Sequence, residues 1–294
     1  MADYVVSCSS SADLTDEYTK ERGIVYVSHT MSLNGTEYLD DMWQSMKPEE
    51  MYQRMIDGEE SKTSQVSVAA YVDHFTKYLE QGKDILHLSL SSGISGTVNA
   101  AMNAKSMLEE KYPDRKIYIV DSLAASSGFG LLVDKIADLK DEGKTIDEAY
   151  QFAEDHKLNL IHWFFSSDLT FYIKGGRVSK TAGFVGNLLN ICPLLNVDYM
   201  GRLIPREKIR TKKKVIKRIV EKMEELADNG HDYDGKVFLS QSACYDDAQA
   251  VVDLIKGKFP KVKEIRIFPI GATIGAHTGP GTVALFFWGK KRED

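Results

Sequence analysis

The chain has 294 residues, 43% of them hydrophobic and 27% charged, with a formal net charge of −6. That length suggests two domains, with one large α/β unit as the alternative, and the acidic balance argues mildly against a general nucleic-acid binder, although a global sum can hide a local patch. No apolar run approaches the ~20 residues that span a bilayer. The opening MADYVVSCSSS lacks the basic region of a signal peptide, and Cys8, Cys192 and Cys244 lie too far apart for a metal knuckle. Buried thiols in a reducing cytoplasm are the expectation.

In chain order, short β-rich runs alternate with helical patterns. DYVVSC (3–8) predicts a strand, and 14–23 a helix with Thr15 as N-cap and Gly23 as its stop. The run 23–33 reads as one strand ended by the tight-turn pair Asn34-Gly35. Pro48 opens a helix that ends at Gly58, and 68–82 is an amphipathic helix with Ser67 as cap. A strand DILHLSL, a serine loop, a helix over 99–111 and a strand over 116–121 follow. Strand–helix–strand order implies right-handed crossovers and a mainly parallel sheet whose loops gather at the strands' carboxyl ends.

The second half has another texture, with the boundary placed near residue 160. A hairpin is expected around Met200-Gly201, then a charged helix (211–228), a strand (236–240), a helix (246–257) and strands near 264–270 and 281–288. The fold class is therefore two-domain α/β, an N-terminal Rossmann-like parallel sheet (1–160) followed by a smaller mixed-sheet domain (161–294).

Three stretches gather hydroxyls: SSSADL (9–14), KTSQVS (62–67) and LSLSSGISGT (88–97). The third fails as a nucleophile elbow because its second glycine comes one place early, and no lysine makes it a P-loop. It reads either as a polar clamp at a helix N-terminus or as ordinary serine capping. The stretch GATIGAHTGPGTV surrounds His277 with glycines, which implies tight backbone and room for an approaching group. No histidine spacing suggests a metal site. FVGNLLNICPLLNV (184–197) reads as core or the wall of an apolar pocket. From Arg202 to Arg218 nine Lys or Arg stand against the single Glu207, which reads as a solvated helix or as a local basic docking face.

SSSADL, KTSQVS, LSLSSGISGT, YIKGGRVSK, LIPREKIRTKKK and IGAHTGPGTV occur in the order and rough spacing of one family. Together they resemble the DegV family, bacterial fatty-acid-binding proteins that act as the carrier subunit of a two-part fatty acid kinase. The resemblance implies an acyl chain enclosed between the domains and a carboxylate held by Thr63, Ser92 and His277, with Ser64 and Ser95 beside them. It implies Arg177 of the GGR motif near the ligand end, and Arg206 and Arg210 on the face that meets the kinase. Ser9 departs from the family's usual Asp, and Cys244 stands about where a histidine is common. The expected ligand is one long-chain fatty acid, with no cofactor, no metal and no catalytic residue of its own. The expected partners are that fatty acid and the kinase subunit but no nucleic acid, with transient membrane contact and a monomeric chain. A buried carboxylate lacking a cation would share a proton with His277. The competing reading is an acyl or phosphoester hydrolase that uses a loop serine with His277.

Overall fold

The computed structural model describes residues 4–179 and 191–293. Its first sheet contains β1 (Tyr4–Ser9), β2 (Ile24–Val27), β6 (Asp84–Ser89) and β7 (Ile117–Asp121), all parallel in the order β2-β1-β6-β7. β1 is buried at every position, as a central parallel strand covered on both faces must be. The chain leaves β1 for one edge and returns on the other side as β6. The carboxyl ends of β1 and β6 are therefore a topological switch point, where α/β sheets bind ligands.

α1 (Asp16–Glu21) links β1 to β2, and the Thr15 side chain accepts from the Tyr18 amide, as the sequence predicts. The single strand expected over 23–33 is two. β2 stays in the parallel sheet, whereas β3 (Thr30–Leu33) pairs with β4 (Thr36–Leu39) and β5 (Ser61–Ser64) in a separate antiparallel sheet. The change of sheet falls at Ser28-His29, where the chain leaves the parallel ladder. Asn34 (φ 47°) and Gly35 (φ 82°) make the expected tight turn.

α2 (Pro48–Ile56) follows β4, and α3 (Val68–Leu79) and α4 (Thr97–Lys111) cover one face of the parallel sheet. α5 (Ser126–Asp141) and α6 (Ile146–His156) occupy a stretch to which the sequence reading assigned no element, although Thr145 and Glu148 form a capping box that marks the start of α6. α5 packs between the two large sheets and touches β1 of the first sheet and two central strands of the second, Lys236–Gln241 and Thr282–Trp288. A helix enclosed in this way is apolar or small on most sides, so its amphipathic signature is weak.

The second sheet is mixed, in the order β10-β9-β8-β13-β11-β12. It comprises β8 (Leu160–Ser166), β9 (Ile191–Val197), β10 (Leu203–Arg210), β11 (Lys236–Gln241), β12 (Glu264–Pro269) and β13 (Thr282–Trp288). β9 and β10 form the expected hairpin, turned through Gly201 (φ 71°). α8 (Lys212–Leu226) and α9 (Tyr245–Lys258) cover the outer face. The inner face joins the core that also holds β1, β6 and α5. α7 (Thr170–Lys174) precedes the GGR motif, and α10 (Ala272–Thr278) occupies the glycine-rich stretch around His277, to which the sequence reading assigned no element. The fold is thus α/β, with a parallel four-stranded sheet and a mixed six-stranded one.

Asp134 locks α5 in place. Fully buried, it accepts from the Tyr18 hydroxyl (2.7 Å), Arg22 Nε (2.8 Å) and Lys236 Nζ (2.5 Å), tying α5 to α1 and to β11 of the other sheet.

Candidate functional site: a cavity between the two sheets

At the switch point the serine loop divides its hydroxyls by direction. Ser91 is buried; its Oγ donates to the Gly201 carbonyl (2.8 Å) and accepts from the Gly93 amide (3.0 Å). A Cβ on Gly93 would meet the Met200 and Gly201 carbonyls at 2.5 and 2.7 Å, so only glycine lets the β9–β10 turn seat here. Ser92 faces solvent instead. Its amide donates to Asp121 Oδ1 (3.1 Å), and it does not line the cavity, contrary to the expectation for a carboxylate-binding residue. A tight turn sends adjacent side chains in different directions, and here it is Ser95 that reaches the cavity wall. Ser95 Oγ also accepts from the Thr97 amide (3.3 Å), so the capping and lining readings both hold for one residue.

The opposite lip is β5 and the residue after it. Thr63 is half-buried, Ser64 and Gln65 are exposed, and all three line the cavity. A Cβ on Gly96 would meet Gln65 Oε1 at 2.7 Å, which places the two hydroxyl-bearing lips against each other. The third cluster stands behind them. The His29 amide donates to Ser10 Oγ (3.0 Å). Since a carbonyl only accepts, His29 Nδ1–H donates to the Ser64 carbonyl (3.4 Å), and Nε2 is left to accept from Ser11 Oγ (3.3 Å). Ser9, the departure from the family pattern, bonds Ser11 Oγ at 2.8 Å and completes this support. Cys244, the other departure, lies outside the lining, its Sγ donating to the Thr282 carbonyl (3.2 Å).

The lips meet a polar chain from the second half. Thr63 Oγ1 is 2.7 Å from His277 Nε2, and Arg177 Nη1 is 3.5 Å from His277 Nδ1. Arginine has no acceptor, so Nδ1 must be the bare nitrogen and Nε2 carries the proton. Nε2–H donates to Thr63 Oγ1, and the Thr63 hydroxyl proton remains to donate to a further group. Burial, and then the neighbouring Arg177 charge, lower the His277 pKa from 6.5 to about 4. His277 is therefore neutral at pH 7, and the positive charge of the site resides on Arg177. This corrects the expected proton sharing, because a carboxylate here has a cation nearby and an imidazole that holds no spare proton.

The GGR motif explains itself in this geometry. A Cβ on Gly175 would collide with His277 Nδ1, so glycine admits the imidazole. Gly176 (φ 72°) turns the chain, and Arg177 then donates through Nε to the Ile94 carbonyl (3.3 Å) and through Nη1 to the Gly175 carbonyl.

Behind these groups lies a cavity of about 230 Å³. Its floor is the inner face of the second sheet: Thr282, Ala284 and Phe286 of β13 and His162 and Phe164 of β8 point inward at alternate positions. Leu90, Ile94, Val197, Leu203 and Ile270 complete an apolar wall. Sequence reasoning missed His29, His162, Thr273 and Tyr172 of this lining. The alternation in LIHWFFS and the four-residue spacing of Thr273 and His277 carry that signal, once one knows that the first is a strand and the second a helix. The part of the expected wall in 184–190 lies outside the described residues.

Arg206 and Arg210 are exposed on β10, an edge strand, and Arg206 Nε donates to Asn196 Oδ1 (2.9 Å). The surrounding basic face is smaller than the sequence count suggests. Arg202 pairs with Asp198, Lys212 with Asp247, Lys217 with Glu221, and Arg218 with Glu207 and Glu225. Four of the nine cations are paired in this way, mostly with acids in or beside the same stretch, and only Asp247 comes from a distant element. Among the described residues no group of three or more His, Cys, Asp or Glu could hold a metal ion, and no helix is long and apolar enough to cross a membrane.

Comparison with known proteins gives these features a family. The family model for DegV, described as an uncharacterised protein of the DegV family, matches residues 5–290. A DegV domain-containing protein of Clostridium perfringens is 39% identical over 293 residues, covering all of both chains. A solved Thermotoga maritima structure, described as revealing fatty acid binding function, is 27% identical with a TM-score of 0.83 and covers 99% of this chain and 100% of that one. The fatty acid kinase B3 protein of Streptococcus pneumoniae, solved loaded with linoleic acid, is 25% identical with a TM-score of 0.85 over 99% of this chain and 100% of that one. The chain belongs to the DegV family.

Proposed function

We propose that this protein is a carrier that binds one long-chain fatty acid in the cavity between its sheets and presents the carboxylate to a separate kinase subunit. The observation that carries the reading is the Arg177–His277–Thr63 chain at one end of an apolar-floored cavity. It leaves a hydroxyl proton and a guanidinium charge for one anionic head group, with Ser95 on the facing lip. Burying each methylene contributes ~0.8 kcal/mol, whereas a hydrogen bond to a charged group contributes about 1.5–3 kcal/mol. The tail therefore supplies most of the affinity, and the polar end fixes which way the chain enters. The relatives described as fatty-acid-binding or loaded with linoleic acid support the same ligand class.

The hydrolase reading loses its motive in this geometry. A histidine acting as base is held by an acceptor, usually a carboxylate, on its second nitrogen. Here that nitrogen faces Arg177, which weakens the base. We assign no catalytic residue to the chain and place the kinase activity in its partner, with Arg206 and Arg210 on the docking face. The carrier is placed in the cytoplasm as a monomer that meets the membrane transiently to exchange its ligand. The two domains are assigned to 1–160 and 161–294.

Mass spectrometry of the purified protein, native and then denatured, tests the reading. A mass excess of one fatty acid, lost on denaturation and identified by solvent extraction, is the expected result. No bound lipid and no uptake of added palmitate or oleate would overturn it.

A further inference from the structure

One end of the cavity shares two lining residues, His162 and Val197, with a neighbouring cleft. Thr282 pairs with Ser166, Ala284 with Phe164 and Phe286 with His162, so the inward residues of β13 and β8 form successive rows leading away from His277. From the Thr282 row to the Phe286 row the floor runs about 13 Å, at ~3.3 Å per residue. The last row is made by Phe286, His162 and Val197. His162 and Phe286 pack edge to face with ring centroids 5.1 Å apart. A Cβ on Gly128 of α5 would strike both rings, so glycine there allows the row to close.

Behind this row is a second cleft of about 510 Å³. It exists because β8 and β9 part company: their pairing runs from Phe165–Leu194 to Trp163–Asn196 and stops. The gap is spanned by the C-terminal segment, where the buried Arg292 donates to the carbonyls of Asp198 (2.8 Å), Leu123 (2.9 Å) and Lys157 (3.2 Å). Ile161, Trp163 and Leu226 give the cleft an apolar side, and Asn196 with residues 290–293 gives it a polar one. His162 and Val197 line both spaces. His162 is held as a wall rather than as a polar contact: its Nδ1–H donates to the Leu160 carbonyl (3.0 Å), leaving Nε2 bare toward the Ala125 amide at 3.5 Å.

We propose that His162 and Val197 are the end wall that sets the longest acyl chain this protein accepts, because among the described residues these two line both the cavity and the neighbouring cleft. The inference rests on the carrier reading above. Removing either side chain joins the two spaces, and a longer tail then continues into the cleft beneath the Arg292 span. Each further methylene fully removed from water raises affinity by up to about fourfold, and less where it meets the polar side of the cleft, so the gain is graded with chain length.

The test loads purified wild type, Val197→Ala, His162→Ala and Val197→Phe from an equimolar mixture of saturated fatty acids from about 14 to about 24 carbons, spanning small to large occupants of such a site. Native mass spectrometry reads the length distribution bound to each. The expected result is a cutoff moved up by about two carbons or more in both alanine variants and moved down in Val197→Phe. Should His162→Ala fail to fold, the Val197 pair alone decides, since its two members must move the cutoff in opposite directions. Normal loading with an unmoved cutoff overturns the end wall and leaves the carrier reading standing. A wild type that takes up none of the mixture overturns the carrier reading, and this inference with it.

Discussion

Thr63 Oγ1 and His277 Nε2 meet at 2.7 Å although 214 positions separate them in the chain. β5 brings one and α10 the other, and Arg177 fixes the imidazole's tautomer, so that the contact leaves the threonine proton pointing onward. A neutral histidine used in this way is a positioning group: it transmits the Arg177 contact to a hydroxyl that faces the cavity.

Thr63→Ala removes the donated proton without emptying the cavity. Loss of one hydrogen bond to a charged group predicts about 10- to 100-fold weaker fatty-acid binding, and Thr63→Ser should restore most of it. Titration with a fluorescent fatty acid measures both. Equal affinity in wild type and the alanine variant would remove Thr63 from the head-group site.

Gly175→Ala acts on the same group from the other side. Its methyl would occupy the place of His277 Nδ1, displacing the imidazole and costing affinity about as much as His277→Ala does. Binding should fall at least tenfold while the secondary structure seen by circular dichroism stays unchanged. Unaltered affinity would mean that the ring has room to move.

Acid should destabilise the ligand-free protein through its buried histidines. The folded-state pKa values of His277 and His74 lie near 4, below the ordinary 6.5, because burial disfavours their charged forms. Between those values the unfolded chain takes up protons that the native state refuses, so stability is full above about pH 6.5 and falls as pH drops toward 4. His277 contributes on the order of 3 kcal/mol to that loss. Urea denaturation from pH 7 to pH 4 checks it: His277→Gln should flatten the slope by about one proton, and an unchanged slope would contradict the assignment.

Asp134→Ala tests the tie between the sheets. It leaves the largely covered Arg22 and Lys236 with only Asp138 nearby among the acids of α5 that contact both. Breaking such a buried network predicts about 3 kcal/mol lower stability, read as a lower denaturant midpoint. A shift under 1 kcal/mol would show that Asp138 substitutes for it.

Arg206→Glu with Arg210→Glu reverses charge on the exposed edge of β10. Phosphorylation of the bound ligand by the cognate kinase should fall at least tenfold, with greater loss at low salt. Fatty-acid loading should be unaffected, because neither residue lines the cavity. Unchanged phosphorylation would move the docking face elsewhere.

Much of this was legible along the chain because the determinants are local. Thr15 caps its helix, Asn34-Gly35 makes its turn, and Gly201 turns the β9–β10 hairpin, each through backbone rules that operate within a few residues. What failed did so where distant contacts decide. The 23–33 run split because its second half found partners in β4 and β5. α5 showed little periodicity because both large sheets enclose it. Lys212 of the basic stretch is paired with Asp247, an acid that only folding brings to it.

The site divides along the same line. Sequence alone determined that hydroxyl-rich loops, a glycine-flanked histidine and the GGR arginine belong to one family pattern, since motif order and spacing need no coordinates. Tertiary structure decided that Ser95 rather than Ser92 faces the cavity, that His277 is neutral, and that His162 and Val197 line both the cavity and the neighbouring cleft. The direction of a side chain in a tight turn, the dielectric around an imidazole and the meeting of two strand rows all depend on what packs from elsewhere in the chain. No local run of residues encodes them.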